Sequence, residues 1–171
     1  MEFIQVIKKR KSIREYKANQ IAEEELQQII LAGCASPISH KDYASIKLTV
    51  VQSKTILQKI SFSVDSTSDS LYGVPTLIIV STTKASEKNV EYFNVACIVE
   101  NMLLAATNLN IGSIYLTYFL KELIKQKDLL SELGIPNGFT PISAVGVGYI
   151  IDTHVWGEGY DIEHRLNVEI I

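Results

Sequence analysis

Between residues 91 and 109 the chain carries Val95, Ala96, Cys97, Ile98, Val99, Met102, Leu103, Leu104, Ala105 and Ala106. At helical spacing these residues leave almost no polar side. A helix on a protein surface needs a single apolar stripe, whereas one that is apolar all round must be covered from several directions. The segment therefore belongs in the centre of a domain or in a contact between subunits, and the rest of the chain must supply its cover.

The rest is suited to that. With 171 residues, 47% hydrophobic and 20% charged, the chain is long enough for one globular domain with its own core, expected over 1–171. This composition excludes a disordered tail, a collagen and a disulfide-rich knot. No stretch reaches the roughly 20 apolar residues of a membrane span. The first residues lack a signal-peptide layout, so a cytoplasmic protein is expected. Cys34 and Cys97 read as small core residues.

Strands are expected at Ile46–Val51, Thr76–Val80, Ser113–Leu116 and Ile142–Ile151. Helices are expected at 2–11, from Ala22 through Gly33, at Lys54–Phe62, at 91–109 with Gly112 ending it, and at Leu120–Leu133. The polar stretch 63–70 reads as a mobile loop. Strands alternating with helices indicate a layered sheet-and-helix domain. The tail, Asp152–Ile171, is polar and aromatic and ends in an apolar Val168–Ile171 able to pair with a neighbouring subunit.

The net charge of −3 speaks against a nucleic-acid binder. Its distribution says more. Residues 8–17 hold six of the 16 basic residues and one acid, which leaves ten basic against 18 acidic elsewhere. Within this run, Arg10, Ser12 and Arg14 offer bidentate and neutral donors that match a phosphate. Taken alone, the run is better accounted for by a solvated basic helix end. Gly146-Val147-Gly148 lacks the third glycine of a dinucleotide fingerprint and reads as close packing on a strand. Asp152, His154, Glu158, Glu163 and His164 fit no standard metal spacing and read as surface residues.

Four segments in order resemble the FMN-dependent nitroreductase family. They are Arg10-Lys11-Ser12-Ile13-Arg14-Glu15-Tyr16, then Ala32 through Asp42 around Ser36-Pro37, then Asn94-Val95-Ala96 through Asn101 to Ala106. The last comprises Leu133-Gly134-Ile135-Pro136, Thr140-Pro141 and Ala144 through Tyr149. The resemblance implies an α+β fold with a central mixed sheet flanked by helices. It implies a homodimer whose C-terminal segment reaches over the partner, with FMN at the interface.

By the same resemblance, Arg10 and Ser12 would hold the phosphate and ribityl chain, with Lys11 beside them. Arg14 would face the N1/O2 side of the ring. Pro37, Ile38 and Ser39 match the loop that the partner lays beside the flavin. Tyr115, Leu116 and Thr117 match the strand end near N5, and Arg165 matches a late arginine completing the phosphate site. No protein acid or base is implied. The activity would be NAD(P)H-dependent reduction of a nitroaromatic, a quinone or another small conjugated acceptor, with ping-pong kinetics. A flavin-binding storage or sensing protein with little turnover is the alternative. No nucleic acid or membrane is expected as a partner.

The chain departs from the family pattern in four places. Ala44-Ser45-Ile46 stands for Gln-Pro-Trp, and Asp42 stands for an Asn. Thr67 and Ser70 are all that the region offering an Asn and a Lys contains, which leaves Arg14 as the main cation at the N1/O2 end. The chain is also short, so the flavin face is expected to be open, or narrowed by Tyr118 and Phe119.

Overall fold

The computed structural model describes residues 1–171 except 65–67, 86–88, 153–155, 157–158 and 163–164. Helices α1 (Phe3–Lys9) and α2 (Glu23–Cys34) precede strand β1 (Ile46–Val51) and helix α3 (Lys54–Phe62). Then follow β2 (Thr76–Thr83), α4 (Val90–Asn108), β3 (Gly112–Leu116), α5 (Leu120–Leu123), α6 (Lys127–Glu132) and β4 (Phe139–Gly148).

The sheet has the order β1-β2-β4-β3, and its named strands pair antiparallel throughout. Among the described residues, the parallel pairing that a mixed sheet requires is confined to one bridge, Ser12 with Ser113. The α+β layering is as expected. β2 is buried along nearly its whole length because it has a neighbour on each edge and helices on each face.

Successive strand residues point to opposite faces, which divides the core in two. Leu77, Ile79, Ile114, Leu116 and Ala144 pack toward Leu57 and Ile60 of α3 and Leu123 of α5. Ile78, Val80, Val145 and Val147 pack toward α2 and α4 through Ile29, Val95, Val99 and Met102. α4 thus covers one sheet face with Val95, Ile98, Val99, Met102, Leu103 and Ala106. Tyr92, Phe93, Ala96 and Cys97 remain exposed, so its apolar character is used only in part within one chain. Both cysteines are exposed and free, not core residues: Cys97 lies on the uncovered side of α4, and Cys34 lines an open groove beside Ile46 and Leu48 of β1.

Several boundaries differ from the sequence reading. α4 ends at Asn108 and is closed off by Asn110, in the left-handed region at φ 58°, with Ile111 N–H donating to Ala106 O at 2.8 Å. Gly112 is not the stop. The helix expected over Leu120–Leu133 is two short ones, broken where Gln126 leaves helical geometry at φ −98°, ψ 80°. β4 begins earlier than expected, at Phe139. Pro141 is tolerated there because the pairing with β2 shifts register between Val80 and Ser81. In the polar stretch 63–70, Asp69 and Ser70 are anchored to Ser61 by hydrogen bonds, and residues 65–67 lie outside the described part.

Gly112, Gly146 and Gly148 lie on one sheet face, since Gly112 pairs with Gly148 and Ile114 with Gly146. A Cβ at Gly112 would come within 3.1 Å of Ile13, and one at Gly148 within 2.7 Å of Pro75 and 3.0 Å of Tyr16. The absent side chains let Ile13 and Tyr16 lie directly on the sheet. The Tyr16 hydroxyl donates to Ile13 O at 2.7 Å, and burial pushes its pKa well above the ordinary tyrosine range, against a smaller opposite effect of Arg14. This seating fixes the path of the basic segment. Among the described residues no helix is long and apolar enough to cross a membrane.

Candidate functional site

α1 ends at Lys9 because Arg10 turns extended, at φ −57° and ψ 123°, while its N–H still donates to Val6 O. The chain then runs against β3. Ile13 N–H donates to Ser113 O at 2.9 Å, and Ile13 itself is buried. Alternation leaves Ser12 and Arg14 off the core and exposed, while Lys11 is half-buried.

The tail returns to the same place. Tyr160 N–H donates to Lys8 O at 2.8 Å. A Cβ on Gly159 would lie 2.9 Å from that carbonyl, so the close approach needs glycine there. The Tyr160 ring then receives two cations, the Lys11 ammonium at 5.6 Å and the Arg165 guanidinium at 5.0 Å from its centroid. Arg165 is thereby brought beside the Arg10–Ser12 segment from the far end of the chain. The other polar tail positions, His154, Glu158, Glu163 and His164, lie outside the described residues. Among those described, no cluster of three or more His, Cys, Asp or Glu offers a metal site.

Arg10 faces Glu100 of α4 at 3.9 Å, and both side chains are partly exposed. At that length and exposure the pair is weak, and Arg10 remains available to another anion. Nearby, Ser113 Oγ is buried without a hydrogen-bond partner. It shares a face with Tyr115, as their β4 partners Val147 and Val145 do. Tyr115 and Thr117 are exposed at the end of β3, while Leu116 is buried and its carbonyl accepts from Ser143 Oγ. Tyr118 is also exposed. Phe119 is fully buried in the core and does not narrow this face.

Arg14 lies with its guanidinium 5.5 Å from the centroid of Tyr72, in the loop before β2. Pro37, Ile38 and Ser39 are placed elsewhere along α4. Ile38 is buried against α2 and α4, and Ser39 N–H donates to Asn94 Oδ1 at 3.1 Å. Asn94 precedes Glu100 by six residues, about 9 Å of helix axis. Among the described residues no hydrogen bond or ion pair joins this loop to Arg10, Lys11, Ser12 or Arg165.

Three partners escaped the sequence reading. Glu100 left a signal, since it is the sole charge between Val95 and Asn108. Tyr72 and Tyr160 left none, because each meets its cation across a long stretch of chain.

The nitroreductase family profile matches residues 7–64 and 57–149. A protein of Archaeoglobus fulgidus, named as a candidate NADH dehydrogenase/NAD(P)H nitroreductase, is 28% identical over 99% of this chain and 96% of its own length. A Bacteroides fragilis nitroreductase crystallised with bound FMN superposes with a TM-score of 0.80 and 25% identity, over 100% of this chain and 99% of that one. A Desulfitobacterium hafniense nitroreductase shares the fold, with a TM-score of 0.78 over 89% and 90% of the two chains. The profile and the superposition together cover the basic segment, α4 and the whole sheet, and the chain belongs to the nitroreductase family.

Proposed function

We propose that residues 1–171 form one FMN-binding domain of an NAD(P)H-dependent oxidoreductase that reduces a nitroaromatic, a quinone or another small conjugated acceptor. The observation that carries this reading is the convergence of Lys11 and Arg165 on Tyr160, with Arg10 next to Lys11 in the chain. A phosphomonoester carries about −1.5 to −2 charges at neutral pH, and a cluster of cations at a helix end suits it. The fit extends to Ser113, whose buried hydroxyl lacks a partner, and to Ser12 beside it.

FMN, when bound, supplies the two-electron chemistry. The protein's part is to hold and expose it. Arg10, Lys11 and Arg165 anchor the phosphate, with Ser12 toward the ribityl chain. Arg14 sets a positive charge at the pyrimidine end, where negative charge develops on reduction. Tyr115, Leu116 and Thr117 present the end of β3 to the ring's reactive edge. Pro37, Ile38 and Ser39 would come from the partner of a homodimer. That dimer is supported by the exposed apolar side of α4, with Phe93 67% exposed, and by Phe3 and Leu31 at 70% and 63%. The exposed tail from Leu166 to Ile171 would reach over the same partner. Ping-pong kinetics are expected because nicotinamide and acceptor would use one open face in turn.

The test is the visible spectrum of the purified protein under anaerobic conditions, before and after NADH or NADPH. A flavin spectrum that bleaches supports the reductase. A flavin spectrum that persists refutes turnover and favours storage or sensing. No flavin after incubation with FMN refutes the reading altogether.

A further inference from the structure

Arg14 is exposed and has a long side chain, and such a group loses much rotamer freedom when held in one place. The structure nevertheless stacks it on Tyr72. That residue stands at φ +57°, a region unfavourable for a bulky side chain, and the next residue, Gly73, is at φ +68°. The turn is fastened on every side. Asp69 accepts from Gly73 N–H at 2.6 Å, from Leu71 N–H at 2.9 Å and from the Ser61 hydroxyl at 2.6 Å. Ser70 donates its hydroxyl to Ser61 O and its N–H to Ser61 Oγ, both at 3.1 Å. Leu71 and Val74, on either side, are anchored in the core.

The ring of Tyr72 gains the fold little. It is exposed, and glycine would suit its backbone better. Strain that surrounding structure enforces tends to serve a site. The face of the ring lies against Arg14, whose guanidinium is 5.5 Å from the centroid.

We propose that Tyr72 is a positioning residue which holds the Arg14 guanidinium toward the pyrimidine end of the bound flavin. This rests on the FMN reading above. The Asp69-locked turn fixes the ring, and the ring's face fixes the cation. The cation is then already in place when the pyrimidine acquires negative charge, and no reorganisation is needed.

Sulfite tests this without turnover. It adds reversibly to N5 of oxidised FMN and leaves negative charge on the pyrimidine, so its dissociation constant reads the held cation. Tyr72→Gly should weaken sulfite binding roughly two- to fivefold, the worth of an exposed cation–π contact. Its thermal stability should be equal or higher, which a merely structural role does not produce. Tyr72→Asn, which also tolerates the left-handed backbone, should repeat the result. Tyr72→Phe, which keeps the ring face, should retain the wild-type constant. Arg14→Ala should weaken sulfite binding, with no further loss in Arg14→Ala/Tyr72→Gly. An unchanged constant in Tyr72→Gly, or an equal loss in the Arg14→Ala background, overturns the proposal alone. A wild-type protein that takes up no FMN overturns the cofactor reading and this proposal with it.

Discussion

Gly148 offers a direct test of why the glycines of β4 are there. If they are packing residues, a methyl group at position 148 must meet the Pro75 ring at 2.7 and 2.8 Å and Tyr16 Cδ1 at 3.0 Å. Carbon atoms in contact prefer about 3.5–4.0 Å. The overlap falls on a proline ring at the start of β2 and on a buried tyrosine, neither of which swings aside. Such overpacking costs about 1–3 kcal/mol. For a chain of this length, each kcal/mol lowers the melting temperature by about 2–4 °C. Gly148→Ala should therefore melt about 2–12 °C lower in a calorimetric or fluorescence scan. Because Tyr16 closes the basic segment, FMN retention should weaken along with stability. An unchanged melting temperature combined with a collapse of nucleotide binding would refute the packing argument and favour a phosphate-binding role for the Gly146–Gly148 end of β4.

Three further outcomes follow from the same geometry. Arg10→Ala should loosen FMN roughly ten- to hundredfold, as expected for a charge-assisted contact, whereas Lys9→Ala should stay yellow after dialysis; equal retention by both refutes the phosphate assignment. Tyr16 keeps its proton when folded at a pH where an unfolded tyrosine, at 10.0, loses it, so its contribution to stability should be full below pH 10 and fall away above it. Tyr149, raised by its hydrogen bond to Glu25, adds to the same trend, and Tyr16→Phe should reduce the alkaline slope in denaturant titrations. Light scattering of the FMN-loaded protein should give twice the chain mass; a particle of 19.1 kDa refutes the shared site.

What the sequence disclosed depended on how local the cause was. β1 and α3 lie where periodicity put them, because Val50-Val51 and the Leu57–Ile60 spacing each obey one rule within a few residues. The break between α5 and α6 was hidden. Leu120 and Leu123 keep helical spacing on one side of it and Leu129 and Leu133 on the other, and Gln126 carries no glycine or proline signal. The exposure of Cys34 and Cys97 was equally hidden, since both lie in apolar runs and their orientation depends on how α2 and α4 face each other. At the candidate site, the basic residues were visible as a cluster on an acidic chain. The aromatic rings that orient them were not, because Tyr72 and Tyr160 approach only after the sheet has brought distant segments together.

The hydrogen bond from Tyr160 to Lys8 also sets an order of events during synthesis. The basic segment leaves the ribosome early, and all four strands are complete once residue 148 has emerged. The sheet and its helices can therefore assemble while the cradle at the end of α1 still lacks one wall. Tyr160 and Arg165 arrive after the strands and close it. On the proposed reading, capture of an anionic ligand at this cradle thus waits until the sheet is complete, and a nascent chain stalled before Gly159 would have a formed sheet but an open binding end.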